Sequence, residues 1–426
     1  MIRLLVNTFA TKVATAAITL GIVILTTRVL GTEGRGTVSL ISADIGIILL
    51  FIQIIGGPSL VFLVPRFNTF HLLICSVVWS LFMPLFLILG LHFLGIVEQG
   101  FNLYLTVICM IQGISSACQI MLLGHERINI YNLLMFTQTL IHFLGLGFLF
   151  FVLGKNDTES FMWSLMFCNL ITMLIGLYLN YKLFNNFSLF NFWITAREAF
   201  KRGFIVQFSN IIQFLNYRLS FFFLSPFLSH LGLFSISLVL AEAVWLLGNS
   251  ISLVQYSKIS NEKNREESVK ISFNMAKISF WATLASVIML LILPEFIYSF
   301  VFGKEFGGAR YPTMALCPGI LAIGVGMSFS HHFAGIGKFK INNIAAIIGL
   351  AVKIPCCLLL VSKYKEIGAA IACSLSYIAS CVFLFIMFKK ETGFKLYNLL
   401  ISKSEMSEVI KLLKGYKNYL GTVQYK

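Results

Sequence analysis

The sequence predicts an all-α polytopic membrane protein with twelve transmembrane helices in two six-helix lobes. Three observations lead to this fold class. Of the 426 residues, 58% are apolar and only 12% are charged, whereas soluble domains carry roughly 25% charged residues. The apolar runs are continuous over about 20 residues, the length of a membrane-spanning helix. They do not alternate in polarity over about 10 residues, as the strands of a membrane barrel do.

A hydropathy window of about 19 residues gives twelve apolar segments. The first is predicted to be an uncleaved span, because Lys12 interrupts it and it continues apolar to Val29. Twelve spans place both termini on one side of the membrane. The approximate limits are 5–30, 37–63, 69–95, 101–123, 128–153, 160–183, 203–229, 232–257, 271–302, 310–334, 341–362 and 367–389.

The basic residues indicate which side that is. If the N-terminus is cytoplasmic, most of the 32 lysine and arginine residues fall in the inside segments. Cytoplasmic loops carry such an excess, so we expect both termini in the cytoplasm. The net charge of +15 then follows from loop asymmetry, and no nucleic-acid partner is indicated.

A segment between spans six and seven, residues 185–202, interleaves aromatic residues with Arg197, Lys201 and Arg202. This pattern is typical of an interfacial helix whose basic groups face anionic headgroups. We therefore predict a cytoplasmic linker helix there. It separates an N-terminal lobe, 1–184, from a C-terminal lobe, 203–390.

The remaining residues, 391–426, form a basic tail that is predicted to be cytoplasmic. Ser402 and Glu405 have the spacing of a capping box, and the apolar residues that follow share one helical face. We expect a helix that lies on the membrane surface.

An internal repeat supports the division into two lobes of the same orientation. The stretches that begin at Gly124 and Gly337 both fit Gly-x-x-basic-Ile-Asn, and each opens a predicted span. Same-orientation repeats are a known construction of transporters. For spans two and eight two registers stay open: one pairs Asp44 with Glu242, and the other pairs Gly36 with Gly232.

Charged residues inside the predicted spans form the candidate site. Arg218 and Glu242 lie on consecutive spans joined by a predicted break at 229–232. A charge at mid-membrane costs at least about 2.5–3.5 kcal/mol on insertion scales, so such groups usually line a polar cavity. We predict that this cavity contains substrate-binding cations and charge-balancing or ion-coupling acids, namely Arg218, Lys353, Lys12 and Arg28, and Asp44 and Glu242.

Structural roles compete with this interpretation. Lys12 could extend to the cytoplasmic interface, and Arg28 could anchor the outer end of span one. Arg218 and Glu242 could form an ion pair between neighbouring helices. The excess of cations suits an anionic cargo such as a phosphate or pyrophosphate, and the acids could bind a coupling proton or sodium ion.

Enzymatic and cofactor motifs are not found in the sequence. It has no Walker loop, no Gly-x-Ser-x-Gly elbow and no His-Glu-x-x-His. The nine cysteines fall in apolar segments without Cys-x-x-Cys pairing, which predicts packing residues. We therefore expect a secondary-type transporter without ATPase activity, cofactor or metal.

Several motifs resemble the polysaccharide-transport (Wzx-type) flippases. The stretch from Arg28 to Gly36 is similar to the Arg-x-Leu-Gly-x-x-Gly-x-Gly of that family, whose superfamily also holds multidrug-and-toxin extruders and lipid II flippases. The resemblance covers roughly residues 1–390. One departure is Ser220, where the family often has an acid two residues after the arginine of span seven. Further matches are Tyr217-Arg218, Leu231-Gly232, Ala241-Glu242, Phe302–Phe306, Gly335–Lys338 and Gly368–Ala372.

The resemblance implies a V-shaped bundle in the cytoplasmic (inner) membrane. It implies alternating access that moves an undecaprenyl-pyrophosphate-linked oligosaccharide to the outer leaflet, for O-antigen, capsule or exopolysaccharide assembly. The expected partners are this lipid-linked oligosaccharide, membrane lipids, a glycan polymerase and a chain-length regulator. A cation-coupled multidrug extruder of the same fold and a membrane glycan polymerase or ligase stay open as alternatives.

Overall fold

The computed structural model describes residues 2–93, 101–183, 191–262, 264–395 and 399. It is 91% helical, and no strand occurs in the described residues, which confirms the all-α class. The helices are α1 (Ile2–Gly56), α2 (Ser59–Leu63), α3 (Thr69–Phe93), α4 (Asn102–Gly124), α5 (Ile128–Phe151), α6 (Thr158–Tyr181), α7 (Phe192–Leu224), α8 (Leu228–Asn261), α9 (Arg265–Ile292), α10 (Glu295–Phe302), a 3-10 turn (Lys304–Ala309), α11 (Arg310–Gly335) and α12 (Phe339–Thr392).

Nine stretches of the described chain are long and apolar enough to cross a membrane. Two of them have 54 residues each, more than twice the length that one crossing needs. The long helix α1 leaves helical geometry at Gly31 and α12 does so at Lys365. The connections predicted around these positions are thus kinks inside two helices, and the count of twelve spans stays a prediction.

The first lobe follows the predicted segments closely. Helices α3 to α6 begin and end within one or two residues of their predicted limits, which is the usual uncertainty in assigning helix ends. A spanning helix satisfies its own backbone hydrogen bonds, so the length of an apolar run predicts the helix well.

Two breaks predicted from the sequence were misplaced, and proline explains both. The break expected at 229–232 lies at 225–227, because α7 ends at Leu224 just before Pro226. The span predicted over 271–302 is divided at Pro294 into α9 and α10. Proline lacks a backbone N–H and disfavours helical geometry at the residue before it, so each helix ends there.

The predicted linker helix is not separate from the seventh span. Helix α7 begins at Phe192 and continues through Arg202 to Leu224. Of the predicted linker, residues 185–190 lie outside the described residues. The tail predicted over 391–426 also lies outside the described residues from residue 396 onward, except for Leu399. Ser402 and Glu405 are therefore outside the described residues.

The chain divides into two compact units. The first comprises Met1–Leu238, Leu293–Thr313 and Lys353–Cys373, and the second Val239–Ile292, Met314–Val352 and Ser374–Lys426. These limits differ from the predicted lobes, 1–184 and 203–390, whose boundaries stay a prediction. Each unit has its own apolar core.

The core of the first unit is built around α1, whose isoleucines pack on α4, α5 and α6. Ile48 and Ile52 are completely buried there. The core of the second unit is aromatic. Phe329 stacks on Phe388 with 4.7 Å between ring centroids, and Phe394 packs against both.

The second half of α1 packs so closely on α7 and α8 that their backbones are in contact. A Cβ atom on Gly36, Gly232 or Gly203 would lie 1.9, 2.0 or 1.5 Å, respectively, from a carbonyl oxygen of the facing helix. No side chain fits at such a distance. Small residues allow this approach between membrane helices, where van der Waals packing replaces the hydrophobic effect as the driving force.

The contact predicts that Gly36→Ala destabilises the protein. Replacing glycine by alanine in a helix normally stabilises by about 0.5–1 kcal/mol, but overpacking here costs about 1–3 kcal/mol or more. The thermal unfolding midpoint in detergent should therefore fall. Gly147→Ala on α5, which has no atom within 4 Å of the added methyl group, is the control and should keep or raise the midpoint. An unchanged midpoint in Gly36→Ala would contradict this packing.

Candidate functional site

A buried lysine joins α12 to the middle of α7. The Lys353 side chain is 0% exposed, and its Nζ donates a hydrogen bond of 2.6 Å to the backbone carbonyl of Asn216. No carboxylate contacts this ammonium group among the described residues. The lysine charge is therefore held by a neutral acceptor inside an apolar bundle.

Arg218 lies on the same turn of α7 as Asn216. It is half-buried, and its guanidinium carbon lies 5.2 Å from the centroid of the Phe221 ring. Two residues further on, the buried Ser220 hydroxyl contacts the sulfur atoms of Cys357 and Cys373 at 3.6 and 3.2 Å. The structure thus brings Arg218 and Lys353 to one level of the first unit, where α12 is attached to α7.

Asp44 lies at a similar level on the neighbouring helix α1. Gly46 of α1 faces the Phe214 ring of α7, and the two helices run in opposite directions, so Asp44 is level with the turn that carries Arg218. Its side chain is 5% exposed and shares a helix face with the buried Ile41 and Ile48. No hydrogen bond or ion pair reaches its carboxylate from the described residues.

Arg28 binds backbone carbonyls away from this level. Its side chain is exposed; its Nε donates to the carbonyl of Val301 at 3.0 Å, and its Nη2 donates to the carbonyl of Phe300. These carbonyls belong to the last turn of α10, whose acceptors have no partner within the helix. The guanidinium therefore caps α10, as the anchoring interpretation expected, and its binding of substrate stays a prediction.

The remaining two candidates are Lys12 and Glu242. Lys12 is exposed on the first half of α1, as expected for a side chain that extends to the interface. Glu242 is half-buried on α8 in the second compact unit, and it takes part in at least one interaction. Their proposed roles in binding and coupling stay predictions.

Sequence analysis missed a buried arginine. Arg35 falls in the connection between the predicted spans 5–30 and 37–63, yet it is only 8% exposed. Its Nη1 donates to the Thr26 hydroxyl at 3.1 Å and its Nε to the Ser235 hydroxyl at 3.3 Å. The segment around it contains no proline, and this could have indicated that α1 continues through it.

A second polar cluster was also missed, at the break between α7 and α8. His230 Nδ1 lies 2.5 Å from Glu366 Oε2, and the Lys365 ammonium lies 3.3 Å from the centroid of the Phe227 ring. Lys365 has a φ of 46°, so these contacts stabilise a kink that is unfavourable for a residue with a side chain. No sequence motif pairs these distant positions.

No metal centre accompanies these groups in the described ranges, where no three His, Cys, Asp or Glu side chains lie close enough to hold an ion. The cysteines that the structure describes are unpaired.

Comparison with known proteins begins from sequence. No family model matches the chain. It is 28% identical over 163 residues to the capsular polysaccharide biosynthesis protein CapF of Staphylococcus aureus, covering 38% of this chain and 41% of CapF. It is 29% identical over 188 residues to the probable lipid II flippase MurJ of Thermotoga maritima, covering 42% of this chain and 39% of MurJ. The matches thus span about two fifths of the length of these relatives.

Solved structures match over nearly the whole chain. An inward closed conformation of the lipid II flippase MurJ superposes with a TM-score of 0.73 and 16% identity, covering 98% of this chain and 93% of that one. An inward-facing multidrug resistance MATE family transporter of the MOP superfamily gives a TM-score of 0.69 and 16% identity, with coverage of 89% and 94%. The chain has the MOP-superfamily fold.

The resemblance predicted from the motifs is therefore confirmed at the level of relatives and fold. The nine apolar stretches of the described chain agree with a multi-pass membrane protein. Within the first unit, α1, α7 and α12 bring together three candidate groups, Arg218, Lys353 and Asp44.

Arg28→Ala is expected to lower the thermal unfolding midpoint by a few degrees. The substitution removes a cationic donor from the last carbonyls of α10 and so loosens α10 from α1. The control is Lys12→Ala, which also removes one positive charge from α1. The Lys12 side chain makes no hydrogen bond among the described residues, so this variant should leave the midpoint unchanged. Equal midpoints for the two variants would show that the cap contributes nothing.

Proposed function

We propose that the protein flips an undecaprenyl-pyrophosphate-linked oligosaccharide from the inner to the outer leaflet of the cytoplasmic membrane by alternating access. The observation that carries the proposal is the Lys353 ammonium of α12, which is fully buried against the Arg218 turn of α7 and contacts no carboxylate among the described residues. The match to a capsular polysaccharide biosynthesis protein supports a polysaccharide precursor as cargo.

The chemistry of this level suits a pyrophosphate. Lysine has three donors, of which Lys353 uses one on Asn216. Arginine presents a planar fork that binds phosphate oxygens in pairs. In an apolar environment an anion gains more from each cation than it does in water. The polyprenyl tail would stay in lipid while the sugar and pyrophosphate enter the protein.

Twelve spans in two lobes form part of the proposal. Dividing α1 at Gly31 and α12 at Lys365, and counting α7 as a span, gives twelve crossings from the helices of this structure. An even number places both termini on one side, which the distribution of basic residues predicts to be the cytoplasm.

Matching turns support a same-orientation repeat. The turn after α4 has a positive φ at Glu126, and the turn after α11 has one at Gly337. Hydrogen bonds repeat as well: Arg127 N donates to Leu122 O at 2.9 Å, and Lys338 N donates to Phe333 O at 2.7 Å. By this backbone criterion α4 corresponds to α11, and α5 corresponds to the first half of α12.

The backbone favours a different register for the predicted repeat. Helix α4 ends at Gly124 and α11 ends at Gly335, so Gly124 corresponds to Gly335. The sequence motif had paired it with Gly337, two residues later, because a chance glycine and lysine give a similar pattern there.

At the start of α8 the contacts support one of the two open registers. A Cβ atom on Gly36 would meet the carbonyl of Leu228, and a Cβ atom on Gly232 would meet that of Thr32. In each case the carbonyl belongs to the residue four before the opposing glycine. This reciprocity favours the pairing of Gly36 with Gly232 over that of Asp44 with Glu242.

Asp44 and Glu242 are proposed to balance the cationic charge of the empty site or to bind the coupling proton or sodium ion. A buried carboxylate without a partner, as at Asp44, is costly when ionised and gains from binding a cation. A glycan polymerase and a chain-length regulator are proposed as partners that receive the flipped lipid.

A second candidate function is cation-coupled multidrug extrusion. It is favoured by the similarity to a multidrug resistance MATE family transporter. Purified protein in liposomes separates the two: translocation of a lipid-linked oligosaccharide supports the first, and drug-driven exchange of protons or sodium supports the second. Product lengthening would instead indicate a glycan polymerase or ligase.

Arg218→Ala is expected to reduce export of the surface glycan by about tenfold or more, because a hydrogen bond to a charged group is worth about 1.5–3 kcal/mol. The measurement is surface glycan in a deletion strain complemented with the variant, at matched amounts of membrane protein. Arg218→Lys should be less impaired if charge matters more than the guanidinium fork. Lys155→Ala, an exposed cation between α5 and α6, is the control; full export in Arg218→Ala would make Arg218 peripheral.

Asp44→Asn tests the coupling role. The amide keeps the size of the carboxyl group and carries no charge, so the protein should fold at normal yield. Transport in liposomes should then lose its dependence on the proton or sodium gradient. Glu33→Gln, an exposed acid on the same helix, should keep that dependence. Gradient-dependent transport in Asp44→Asn would assign coupling to another group.

A further inference from the structure

Basic residues gather where α2 meets the first turns of α7, away from the Arg218 level. They lie on the side of the molecule that the sequence predicts to be cytoplasmic, and all belong to the first compact unit. One acid, Glu198, accompanies them within the same turns of α7. The cations are Arg66, Arg197, Lys201 and Arg202.

Two of these guanidinium groups share one aromatic ring. The Arg66 guanidinium carbon lies 3.6 Å from the centroid of the Phe62 ring, and that of Arg202 lies 4.7 Å from it. The two like charges are thus within about 8 Å of each other, where their repulsion opposes the arrangement. An anion placed between them would offset this repulsion.

The internal partners of the two arginines leave most of their charge uncompensated. Arg66 donates a hydrogen bond of 2.7 Å to the backbone carbonyl of Phe62, and this neutral acceptor does not cancel the arginine charge. Arg202 pairs with Glu198 at 3.0 Å. Two guanidinium groups therefore face one carboxylate, and each has N–H donors left for an external acceptor.

On another face of the same turns, α7 carries an apolar groove of about 640 Å³ with a basic edge. Trp193 is 82% exposed, and Phe200 and Phe204 are also exposed. Arg197 and Lys201 lie one turn apart along the groove and have no side-chain partner among the described residues. Aromatic rings that alternate with cations at a helix end are typical of the boundary between headgroups and acyl chains.

We propose that this surface binds an anionic phospholipid of the cytoplasmic leaflet. The phosphate would lie at Arg66 and Arg202, and the exposed aromatic side chains of the groove would lie among acyl chains of the same leaflet. Charge complementarity selects the occupant, because zwitterionic lipids offer no net charge to the cations. The cytoplasmic leaflet carries the anionic lipids, and each nearby basic residue strengthens such binding. The site does not depend on which cargo is transported.

The test is a lipid titration of the purified full-length protein in detergent. Dioleoylphosphatidylglycerol should raise the thermal unfolding midpoint in a saturable manner, because a ligand of the folded state stabilises it by mass action. Dioleoylphosphatidylcholine should not. In Arg66→Gln/Arg202→Gln the phosphatidylglycerol concentration that gives half the shift should rise by about tenfold or more.

Two further variants separate binding from folding. Arg66→Lys/Arg202→Lys keeps both charges and should keep most of the shift, even if the glutamine variant folds poorly. Lys155→Gln/Lys363→Gln removes two exposed cations elsewhere and should respond as the unaltered protein does. Equal shifts with both lipids, or an unchanged response of the glutamine variant, would overturn the proposal.

Two other anions test the choice of occupant. Inorganic phosphate that reproduces the shift at comparable concentration would assign the site to a free anion instead of a lipid. Undecaprenyl phosphate that acts at much lower concentration than phosphatidylglycerol would assign it to the cargo. Either result would overturn the assignment to a membrane phospholipid.

Discussion

The close approach of α1 to α7 and α8 is the constraint on which the rest of the first unit depends. Where Gly36, Gly203 and Gly232 meet facing carbonyl oxygens, the helices have no side chains between them, so neither can slide or rotate without a clash. In a bilayer, helices associate through such packing and through interhelical hydrogen bonds, since burial of apolar surface from water gives no driving force there. This fixed contact sets Asp44 of α1 level with the charged turn of α7.

Three cations of the first unit donate hydrogen bonds to backbone carbonyls. Lys353 donates to Asn216, Arg28 to the end of α10, and Arg66 to Phe62. A carbonyl orients a cation and satisfies one donor, but it does not cancel the charge as a carboxylate would. The positive potential therefore remains available to an anion. At the buried level this supports the proposed pyrophosphate cargo, and at the α2–α7 surface it supports the proposed lipid phosphate.

Much of the fold could be predicted because a membrane helix must satisfy its own backbone. The limits of α3 to α6 followed from their apolar runs alone. The prediction failed where one residue decided the local geometry. At Pro226 and Pro294 a helix ends, whereas hydropathy had predicted the first break elsewhere and the second not at all. At Gly31 and Lys365 a long helix bends, whereas hydropathy had predicted two separate spans. For the site, the residue types were found from their position in apolar segments, whereas Arg35 was missed because the segment around it was taken for a loop.

By itself, the sequence determined the all-α membrane class, the motifs that resemble a flippase family, and two of the buried charges, Asp44 and Lys353. All of these follow from composition and from residues that are near one another in the chain. Only the tertiary structure decided that Lys353 joins the Arg218 turn, that Arg28 caps α10 and that His230 pairs with Glu366. Those partners are separated by more than a hundred residues, and their distances depend on how closely glycines allow the helices to approach, which no local pattern records.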